Sequence, residues 1–281
     1  TVIVISKQQI KERGYVNLLD LMEDLPGVDV NQKSIEEFFN QVAIRGNTGN
    51  NKFIIMQNGI RISSPTGEHI SISDNLRAQS VKLKNHWSDS GKRRIFLAAS
   101  THDGEDEQIL QAFLLLIKDN PNTLLVLVPR HPERFEKVVK MSKQAGLLTQ
   151  RRSSKQPLKL STQVLIGDSM GELLLLYGCA DIVFVGGSLV NTGGHNILEP
   201  AAWGLPIITG YSNFNFFEIN CMLEQQQAII KVPDSAGLKQ ALITLMSSDQ
   251  QRKQMGDAAY AIVKSNRGAL DRLTTVLERY L

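Results

Sequence analysis

The chain of 281 residues carries 31 basic and 28 acidic side chains, a formal net charge of +3, and 42% of its residues are hydrophobic. It is long enough for one large domain or two ordinary ones. The small excess of basic residues is not clustered into the basic face typical of nucleic-acid-binding proteins. No apolar run reaches the ~20 residues of a membrane helix. No secretory leader is visible at the start of the sequence, which begins at Thr1. A chain whose leader had been removed would start in the same way.

Residues 1–75, with seven basic and nine acidic side chains, predict a small α+β segment. "SKQQIKERGYVNLLDLMEDLPGVDV" predicts two short helices that end at Gly14 and at Pro26-Gly27. "QVAIRG" and "NKFIIMQNGIRIS" predict strands, and Asn58-Gly59 is a hairpin signal. No alternation of strands and helices typical of βαβ units is present here.

From Arg94 onward, apolar strands alternate with helices. The strand segments are "RIFLAAS", "TLLVLVP", "TQVLIGD", "DIVFVGG", "LPIITG" and "AIIKV". The helix segments are "GEDEQILQAFLLLIKD", "PERFEKVVKMSKQAG", "MGELLLLYGCA", "HNILEPAAWG", "SAGLKQALITLMSS", "DQQRKQMGDAAYAIVKSN" and "GALDRLTTVLERYL". Continuous apolar strands separated by helices predict an α/β fold, a Rossmann-like doubly wound parallel sheet, over residues 76–281.

Polar loops follow four of these strands. They run from Ser100 to Glu105, from Pro129 to Arg134, from Gly167 to Glu172 and from Gly186 to Asn196. In an open α/β sheet, ligands bind beyond the carboxyl ends of the strands. Because all four loops fall at that edge, we expect a ligand site there.

The glycine-rich stretch before "HNILEPAAWG" predicts a phosphate cradle at Gly193 and Gly194. Glycine lets the backbone approach a ligand closely, and the free N–H groups of a helix start attract anions. His195 and Asn196 add hydrogen bonds, and Glu199 can accept from sugar hydroxyls. The stretch has neither GxGxxG nor GxxxxGK[ST], so it is not a standard dinucleotide or P-loop site.

Two arginines of the second loop, Arg130 and Arg134, offer forked donors to phosphate or carboxylate. The structural alternative is that the glycines are turn residues and the polar groups are caps. We interpret Asp168 as a helix N-cap rather than a catalytic acid. Glu172 is a ligand contact or a helix-dipole residue, and His102 is a ligand contact or a spectator.

"NFNFFEI" is a pocket wall or a packing segment. Cys179 and Cys221 form no CxxC pair and are expected to be free thiols in a reducing compartment. No metal-ligand spacing occurs in the sequence, so we predict no protein-bound metal and no cofactor.

Several motifs together resemble the C-terminal half of the Kdo transferases, from about Ser71 to Leu281. They are "AASTHDGEDE", "LVPRHPERF", "GDSMGELLLLYGCADIVFVGGSLV", "GGHNILEPAAWGLPIITG", "FNFFEI" and "NRGAL". The resemblance implies a GT-B glycosyltransferase of lipopolysaccharide biosynthesis that transfers 3-deoxy-D-manno-octulosonic acid (Kdo) from CMP-Kdo to a lipid A precursor. It also implies work at the cytoplasmic face of the inner membrane, with the membrane surface as a partner.

Carried over motif by motif, the resemblance implies a set of donor-binding residues that hold the CMP part. They are Ser100, Thr101, His102, Arg130, His131, Arg134, Gly167, Met170, Gly171, Glu172, Gly186, Gly187, Ser188, Gly193, Gly194, His195, Asn196, Glu199 and Asn215. In this assignment Glu199 faces the ribose and Asn215 lies near the sugar. Ile197 stands where the family usually has proline, a departure with little chemical consequence.

Residues 1–75 instead resemble the start of a TonB-dependent receptor plug, on "LPGV", "IRG" and the "NGIRI" turn. The plug family more often has Asp at the position of Asn58. The resemblance does not extend to the later part of the plug or to the barrel. A plug belongs to the outer membrane, whereas a Kdo transferase works at the inner membrane, so we interpret the chain as a fusion of gene fragments. The acceptor domain of a Kdo transferase, which supplies the catalytic carboxylate, has no counterpart here. We therefore name no catalytic residue.

The sequence thus predicts the donor-binding half of an inverting Kdo transferase, inactive as a transferase by itself. One alternative is a nucleotide-sugar epimerase-like GT-B domain, which a preference for uridine over cytidine nucleotides would indicate. A second alternative is a non-enzymatic interaction module in which residues 1–75 carry the function, which capture of a TonB-type partner would indicate.

Overall fold

A computed structural model describes residues 28–31, 41–44, 47–48, 56–57, 60–61 and 72–266. The chain divides into two compact units. One unit comprises Thr1–His69 with Ser265–Leu281, and the other comprises Ile70–Lys264. The predicted boundary at residue 75 remains a prediction, as does the span 76–281 of the second domain.

The described part of the first unit consists of short antiparallel strands. β1 (Val28–Asn31), β2 (Gln41–Ile44) and β3 (Asn47–Thr48) form one sheet, and β4 (Met56–Gln57) pairs with β5 (Ile60–Arg61). Strands are therefore present within both predicted strand segments. The predicted turn at Asn58-Gly59 and the two helices predicted before Val28 lie outside the described residues.

The second unit is built on a parallel sheet of seven strands. Its strands are β6 (Arg94–Thr101), β7 (Thr123–Pro129), β8 (Thr149–Arg151), β9 (Val164–Ile166), β10 (Ile182–Val185), β11 (Ile207–Thr209) and β12 (Ile229–Lys231). Their order is β12-β11-β10-β6-β7-β9-β8, and every neighbouring pair is parallel. The predicted α/β parallel sheet is confirmed. Of these seven strands, only β8 was not predicted, because this edge strand is polar and half-buried.

Eight α-helices within residues 72–266 cover the sheet. They are α1 (Asp74–Trp87), α2 (Glu105–Asp119), α3 (Phe135–Gln144), α4 (Leu173–Tyr177), α5 (Leu198–Ala202), α6 (Phe217–Gln225), α7 (Ser235–Ser247) and α8 (Asp249–Asn266). In this range, none combines the length and apolar character needed to cross a lipid bilayer. The helix predicted at "GALDRLTTVLERYL" lies outside the described residues.

Hydrophobic layers bury both faces of the sheet. Along β6, Ile95 and Leu97 belong to one core cluster, while Phe96 and Ala98 belong to the other. Helices α2, α3 and α7 contribute to the second cluster, whereas α1, α4, α5 and α6 contribute to the first. Burial on both faces explains the continuous apolar strands, because side chains alternate between the two layers.

Both cysteines are free thiols, as expected. Cys179 is completely buried in the first core cluster, and this burial raises the pKa of its thiol to about 12. Its thiol is therefore protonated and unreactive at neutral pH.

The order of the strands places a topological switch point between β6 and β10. From β6 the chain adds β7, then the edge strand β8, and then β9 between β7 and β8. It then returns to β10 on the other side of β6 and continues outward through β11 and β12. A crevice opens between the loops that leave two neighbouring strands in opposite directions. Here those loops are the ones that follow Thr101 and Val185.

Candidate functional site

Two histidines meet across the switch point. His102 follows β6 and His195 follows β10, and their Nε2 atoms are 2.7 Å apart. The ring planes are inclined by only 17°, and the ring centroids are 4.9 Å apart. This separation is the Nε2–Nε2 distance plus about the two ring radii, so the rings meet head-on rather than face to face. The contact is therefore an N–H···N hydrogen bond.

The loop after β7 adds a third imidazole and a free cation. The ring of His131 lies edge-on to that of His102, with centroids 5.3 Å apart and planes inclined by 85°. The backbone N–H of Arg130 donates to the carbonyl of Thr101 at 3.0 Å, which holds the two loops together. The Arg130 side chain is exposed and has no ion-pair partner in the described part of the chain.

The two contacting imidazoles are uncharged at neutral pH. Burial lowers the pKa of His195 to about 4, and repulsion from His102, Arg130 and His131 acts in the same direction. Burial also lowers the pKa of His102, against the opposing attraction of Glu105. The cluster therefore offers neutral N–H donors together with one exposed guanidinium, a combination suited to an anionic ligand.

Glu105, the first residue of α2, connects the loops that carry the two histidines. Its side chain is fully buried. One oxygen accepts the backbone N–H groups of His102 at 2.8 Å and Gly187 at 2.7 Å. The other accepts those of Ser188 and Leu189, both at 2.9 Å. The N–H groups of the predicted Gly187-Ser188 segment are thus directed at a carboxylate of the protein.

Sequence reasoning missed this role of Glu105. In the sequence, Glu105 is only the last residue of the polar loop that begins at Ser100, at the start of a predicted helix. A local signal existed, because an acid three residues after His102 is the spacing at which a side chain caps a backbone N–H. Its contacts with the loop after β10 span more than eighty positions in the sequence, and no local pattern indicates them.

Arg134 is engaged inside the protein. Its guanidinium pairs with the fully buried carboxylate of Asp106 and donates to the carbonyl of Thr101 at 2.7 Å. The hydroxyl of Thr101 donates to Asp106 at 2.6 Å. Arg134 therefore fixes the cluster's framework, while Arg130 remains the exposed cation.

The glycine stretch makes close backbone contacts. The N–H of Gly193 donates to the Ser212 hydroxyl at 2.9 Å, and that of Gly194 donates to the carbonyl of Gly187 at 2.7 Å. Gly193 has φ +89°, and a Cβ there would lie 2.4 Å from the amide nitrogen of Asn215. Glycine is therefore required by both conformation and space.

Two backbone donors remain at the start of α5. Among the described residues, no hydrogen-bond acceptor faces the backbone N–H of His195 or Asn196. The Asn196 side chain accepts the N–H of Leu198 at 3.0 Å and lies 3.4 Å from Glu199. The predicted helix is shorter than expected, with five residues, so the open donors come from the loop as well as the helix start.

Asn215 closes the glycine stretch from the other side. Its side-chain amide donates to the carbonyl of Thr192 at 3.0 Å, and its backbone N–H donates to the carbonyl of Gly193 at 3.1 Å. Phe214 and Phe217 flank it and are 62% and 61% exposed. The "NFNFFEI" segment thus borders the loop and leaves aromatic faces in solvent.

The loop after β9 is held by two arginines from the end of β8 and the turn that follows it, Arg151 and Arg152. Asp168 accepts from Arg151 and from the Ser153 hydroxyl, both at 2.6 Å. Although burial would raise the pKa of Asp168, these hydrogen bonds lower it overall. The N-cap interpretation of Asp168 is wrong, because α4 begins only at Leu173.

The remaining candidate residues of that loop range from a half-buried, paired Glu172 to an exposed Met170. Glu172 forms a two-pronged pair with Arg152, at 2.9 and 3.2 Å, and also accepts from Ser169. Opposing the effect of burial, these bonds lower the pKa of Glu172. Met170 is 65% exposed, and Gly171 has φ +79° with open space beside it. These residues belong to the same sheet edge, but no contact joins them to the histidine cluster in the described structure.

The remaining candidate residues serve close packing. A Cβ at Gly186 would lie 2.5 Å from the carbonyl oxygen of Ser100, and one at Gly167 would lie 2.7 Å from Val128. Ser100 itself has φ +54° at an irregularity of β6. The Ser188 hydroxyl donates to the carbonyl of Val185 at 2.7 Å. In the described ranges, no group of three or more His, Cys, Asp or Glu side chains is arranged to hold a metal.

Comparison with known proteins identifies the family. Residues 84–262 match the family model of the glycosyl transferases group 1. The crystal structure of the C-terminal CMP-Kdo binding domain of WaaA from Acinetobacter baumannii is 33% identical, with a TM-score of 0.65. The match covers 68% of this chain and 99% of that one.

Two curated relatives are 3-deoxy-D-manno-octulosonic acid transferases. The protein from Haemophilus influenzae is 46% identical over 213 residues, which is 75% of this chain and 49% of the relative. The protein from Bordetella pertussis is 32% identical over 206 residues, which is 72% of this chain and 48% of the relative. The chain thus spans about half the length of these relatives.

The parallel sheet with its switch-point cluster is therefore a GT-B-type glycosyltransferase domain. The chain belongs to the group 1 glycosyltransferases and, within them, to the Kdo transferases, as the sequence motifs indicated. Residues 1–82 match a second family model, that of the TonB-dependent receptor plug domain, in agreement with the resemblance of residues 1–75.

Proposed function

We propose that residues 72–266 bind CMP-Kdo, the donor of lipid A glycosylation, with its phosphate at the histidine cluster. The observation that carries this proposal is the convergence of His102, His195, His131 and Arg130 at the switch point. An exposed guanidinium, imidazole N–H groups and two open backbone donors match the needs of a phosphate. The relationship to a CMP-Kdo binding domain supports this choice of donor.

In the proposed transfer, a hydroxyl of the lipid A precursor attacks the anomeric carbon of Kdo. The bond from that carbon to the phosphate oxygen breaks, and CMP leaves with the electron pair. Arg130 and the loop N–H groups stabilise the charge that develops on the leaving phosphate. A carboxylate outside the cluster removes the proton of the attacking hydroxyl. Glu199 and Asn215 are proposed to contact the ribose and the Kdo sugar.

Binding is tested by titration calorimetry of the 281-residue chain with CMP, with UMP as the comparison. We expect CMP to bind at least tenfold more tightly than UMP. Arg130→Gln should weaken CMP binding about tenfold, because a hydrogen bond to a charged group contributes about 1.5–3 kcal/mol. Lys140→Gln removes the same charge from the exposed face of α3 and should leave the affinity unchanged. A preference for UMP would favour the epimerase-like alternative, which the comparisons do not support.

Transfer itself is a separate test. We propose that residues 1–281 alone bind the donor without turnover, since the chain spans about half the length of the transferases it matches. The assay measures Kdo incorporation into a lipid A precursor with and without vesicles of inner-membrane lipids. Transfer at the rate of a full-length relative would overturn this part of the proposal. Inner-membrane association at the cytoplasmic face belongs to the same proposal and is tested by flotation with those vesicles.

A further inference from the structure

The histidine contact at the switch point restricts the number of protons that the pair can hold. Two Nε2 atoms 2.7 Å apart need one donor and one acceptor, so only one of the two nitrogens carries a hydrogen. An imidazolium has hydrogens on both nitrogens. If both rings became donors at Nε2, the two hydrogens would collide and the contact would open. The observed contact therefore holds only while one of the two Nε2 atoms lacks a hydrogen, and a proton added at that atom opens it.

The surroundings oppose a further proton in the absence of an anion. Arg130, His131 and Arg134 all act on the pair as cations or potential cations, and Glu105 is the opposing carboxylate beside His102. The carboxylate of Glu105 is already engaged with four backbone N–H groups. Asp103 pairs with Lys137, Asp106 with Arg134, and Glu199 lies beside the Asn196 amide. An anion between the loops would supply the missing negative charge.

We infer that the His102–His195 pair takes up a proton when a phosphate monoester binds and keeps its single shared proton when a phosphodiester binds. The inference rests on the proposed nucleotide site. After uptake of this one proton both Nε2 atoms carry a hydrogen and turn toward the phosphate, so the mutual hydrogen bond is replaced by two charge-assisted bonds. The pair thereby distinguishes the two ionic forms of phosphate rather than the nucleoside.

The two forms correspond to the two ends of a transfer cycle. A sugar activated by a nucleoside monophosphate, such as CMP-Kdo, contains a phosphodiester whose phosphate carries a single negative charge. The released nucleotide is a monoester whose second ionisation has a pKa of about 6, so it is a dianion at neutral pH. When the glycosidic C–O bond breaks, the electron pair stays on the phosphate oxygen. The extra proton, taken from solvent, offsets that added charge on the product.

A definite pH dependence follows. The bound dianion raises the pKa of the pair, so proton uptake favours the complex at lower pH. Between about pH 7 and 9 the dissociation constant of a monoester should rise roughly tenfold per pH unit, because a single proton is bound with the ligand. A diester should bind with nearly the same affinity over this range.

The test is titration calorimetry of the full chain with CMP and with the methyl phosphodiester of CMP. At pH 7.5, two buffers with different ionisation enthalpies give the number of protons bound from the difference in observed heat. We expect a value near one for CMP and near zero for the methyl ester. Binding of CMP with no buffer dependence would overturn the inference and leave the nucleotide site intact. No binding of either compound would overturn both proposals.

Substitutions test whether the proton is taken up by the His102–His195 pair or by another titrating group. His195→Gln retains a polar side chain but cannot accept a proton, so it should abolish proton uptake and weaken CMP binding about a hundredfold at pH 7, as a tenfold loss per pH unit up to about pH 9 requires. The affinity for the methyl ester should fall by a clearly smaller factor than that for CMP, because only the loss for CMP includes the bound proton. His86→Gln, on the exposed face of α1, is the matched control and should retain wild-type uptake. Full uptake in folded His195→Gln protein would contradict the inference.

Discussion

The carboxylate of Glu105 lies 2.7 Å from the backbone nitrogen of Gly187, so the first residue of α2 holds the loop that follows β10. The same oxygen accepts the N–H of His102 in the loop that follows β6. One buried side chain therefore sets the spacing of the two loops at the switch point. The contact between His102 and His195 depends on this spacing.

Replacement of Glu105 by Gln should destabilise the domain by about 2 kcal/mol or more, since its amide group would face backbone N–H groups and leave buried donors unpaired. Urea unfolding followed by tryptophan fluorescence measures this, because Trp87 and Trp203 both lie in the parallel-sheet unit. The affinity for CMP should fall together with the stability. Glu107→Gln removes an exposed carboxylate from the same helical turn and should change stability by less than about 0.5 kcal/mol. Equal effects of the two variants would contradict the role given to Glu105.

Arg134→Met should cost about 3–5 kcal/mol at pH 7, because it leaves the buried Asp106 carboxylate without its ionic partner. Burial raises the pKa of Asp106 even with Arg134 present. A carboxyl with a raised pKa is neutral in the folded state at acid pH, so the loss should shrink as the pH falls.

Urea unfolding of Arg134→Met at pH 7 and at pH 4.5 measures both effects. Adding Asp106→Asn should recover part of the loss at pH 7, since no buried charge then remains. Lys137→Met is the control, because its pair with Asp103 is exposed and screened by solvent, so its loss should change stability much less. A loss that is independent of pH would mean that packing of Arg134, and not its charge, provides the stability.

Asp168→Asn should destabilise the domain by about 2 kcal/mol at pH 7, through loss of the bonds from Arg151 and Ser153. The pKa of Asp168 is lowered in the folded state. Its contribution is therefore fully present above the ordinary aspartate value of about 4 and is lost as pH falls through the lower folded value.

The stability difference between wild type and Asp168→Asn should thus narrow below about pH 4. Parallel urea titrations from pH 3 to 7 measure the narrowing. Asp119→Asn, an exposed carboxylate at the end of α2, serves as the control and should show no comparable trend. A difference that widens at low pH would reverse the sign and refute the assignment.

Gly186→Ala should push apart the loops after β6 and β10, because its Cβ would lie 2.5 Å from the backbone oxygen of Ser100 and 2.8 Å from Thr101 Cα. Backbone atoms cannot move aside cheaply, so we expect a loss of about 1–3 kcal/mol and CMP binding weakened at least tenfold. Gly146→Ala at φ +80° has open space around it and should lose only about 1–2 kcal/mol of conformational energy. Calorimetry should show wild-type CMP affinity for Gly146→Ala; unaltered affinity for Gly186→Ala would refute the close-packing argument.

The sequence by itself determined the class of fold and the edge of the sheet where ligands bind. Runs such as "RIFLAAS" and "TLLVLVP" are apolar throughout because both faces of a parallel sheet are covered, and this is visible without coordinates. The loops after the strands also carry their polar residues in sequence, so His102, Arg130 and His195 could be assigned to one region.

Only the tertiary structure decided which of those groups are available. Arg130 and Arg134 are alike in sequence, yet Arg134 is held by buried Asp106 and Arg130 is exposed. The partners of Glu105 lie more than eighty residues away. Local sequence patterns indicate turns and the periodicity of helices and strands. The hydrogen bonds that a buried carboxylate accepts come from backbone N–H groups in a loop that is distant in sequence. That pairing, and with it the hydrogen bond between His102 and His195, exists only once the sheet has formed.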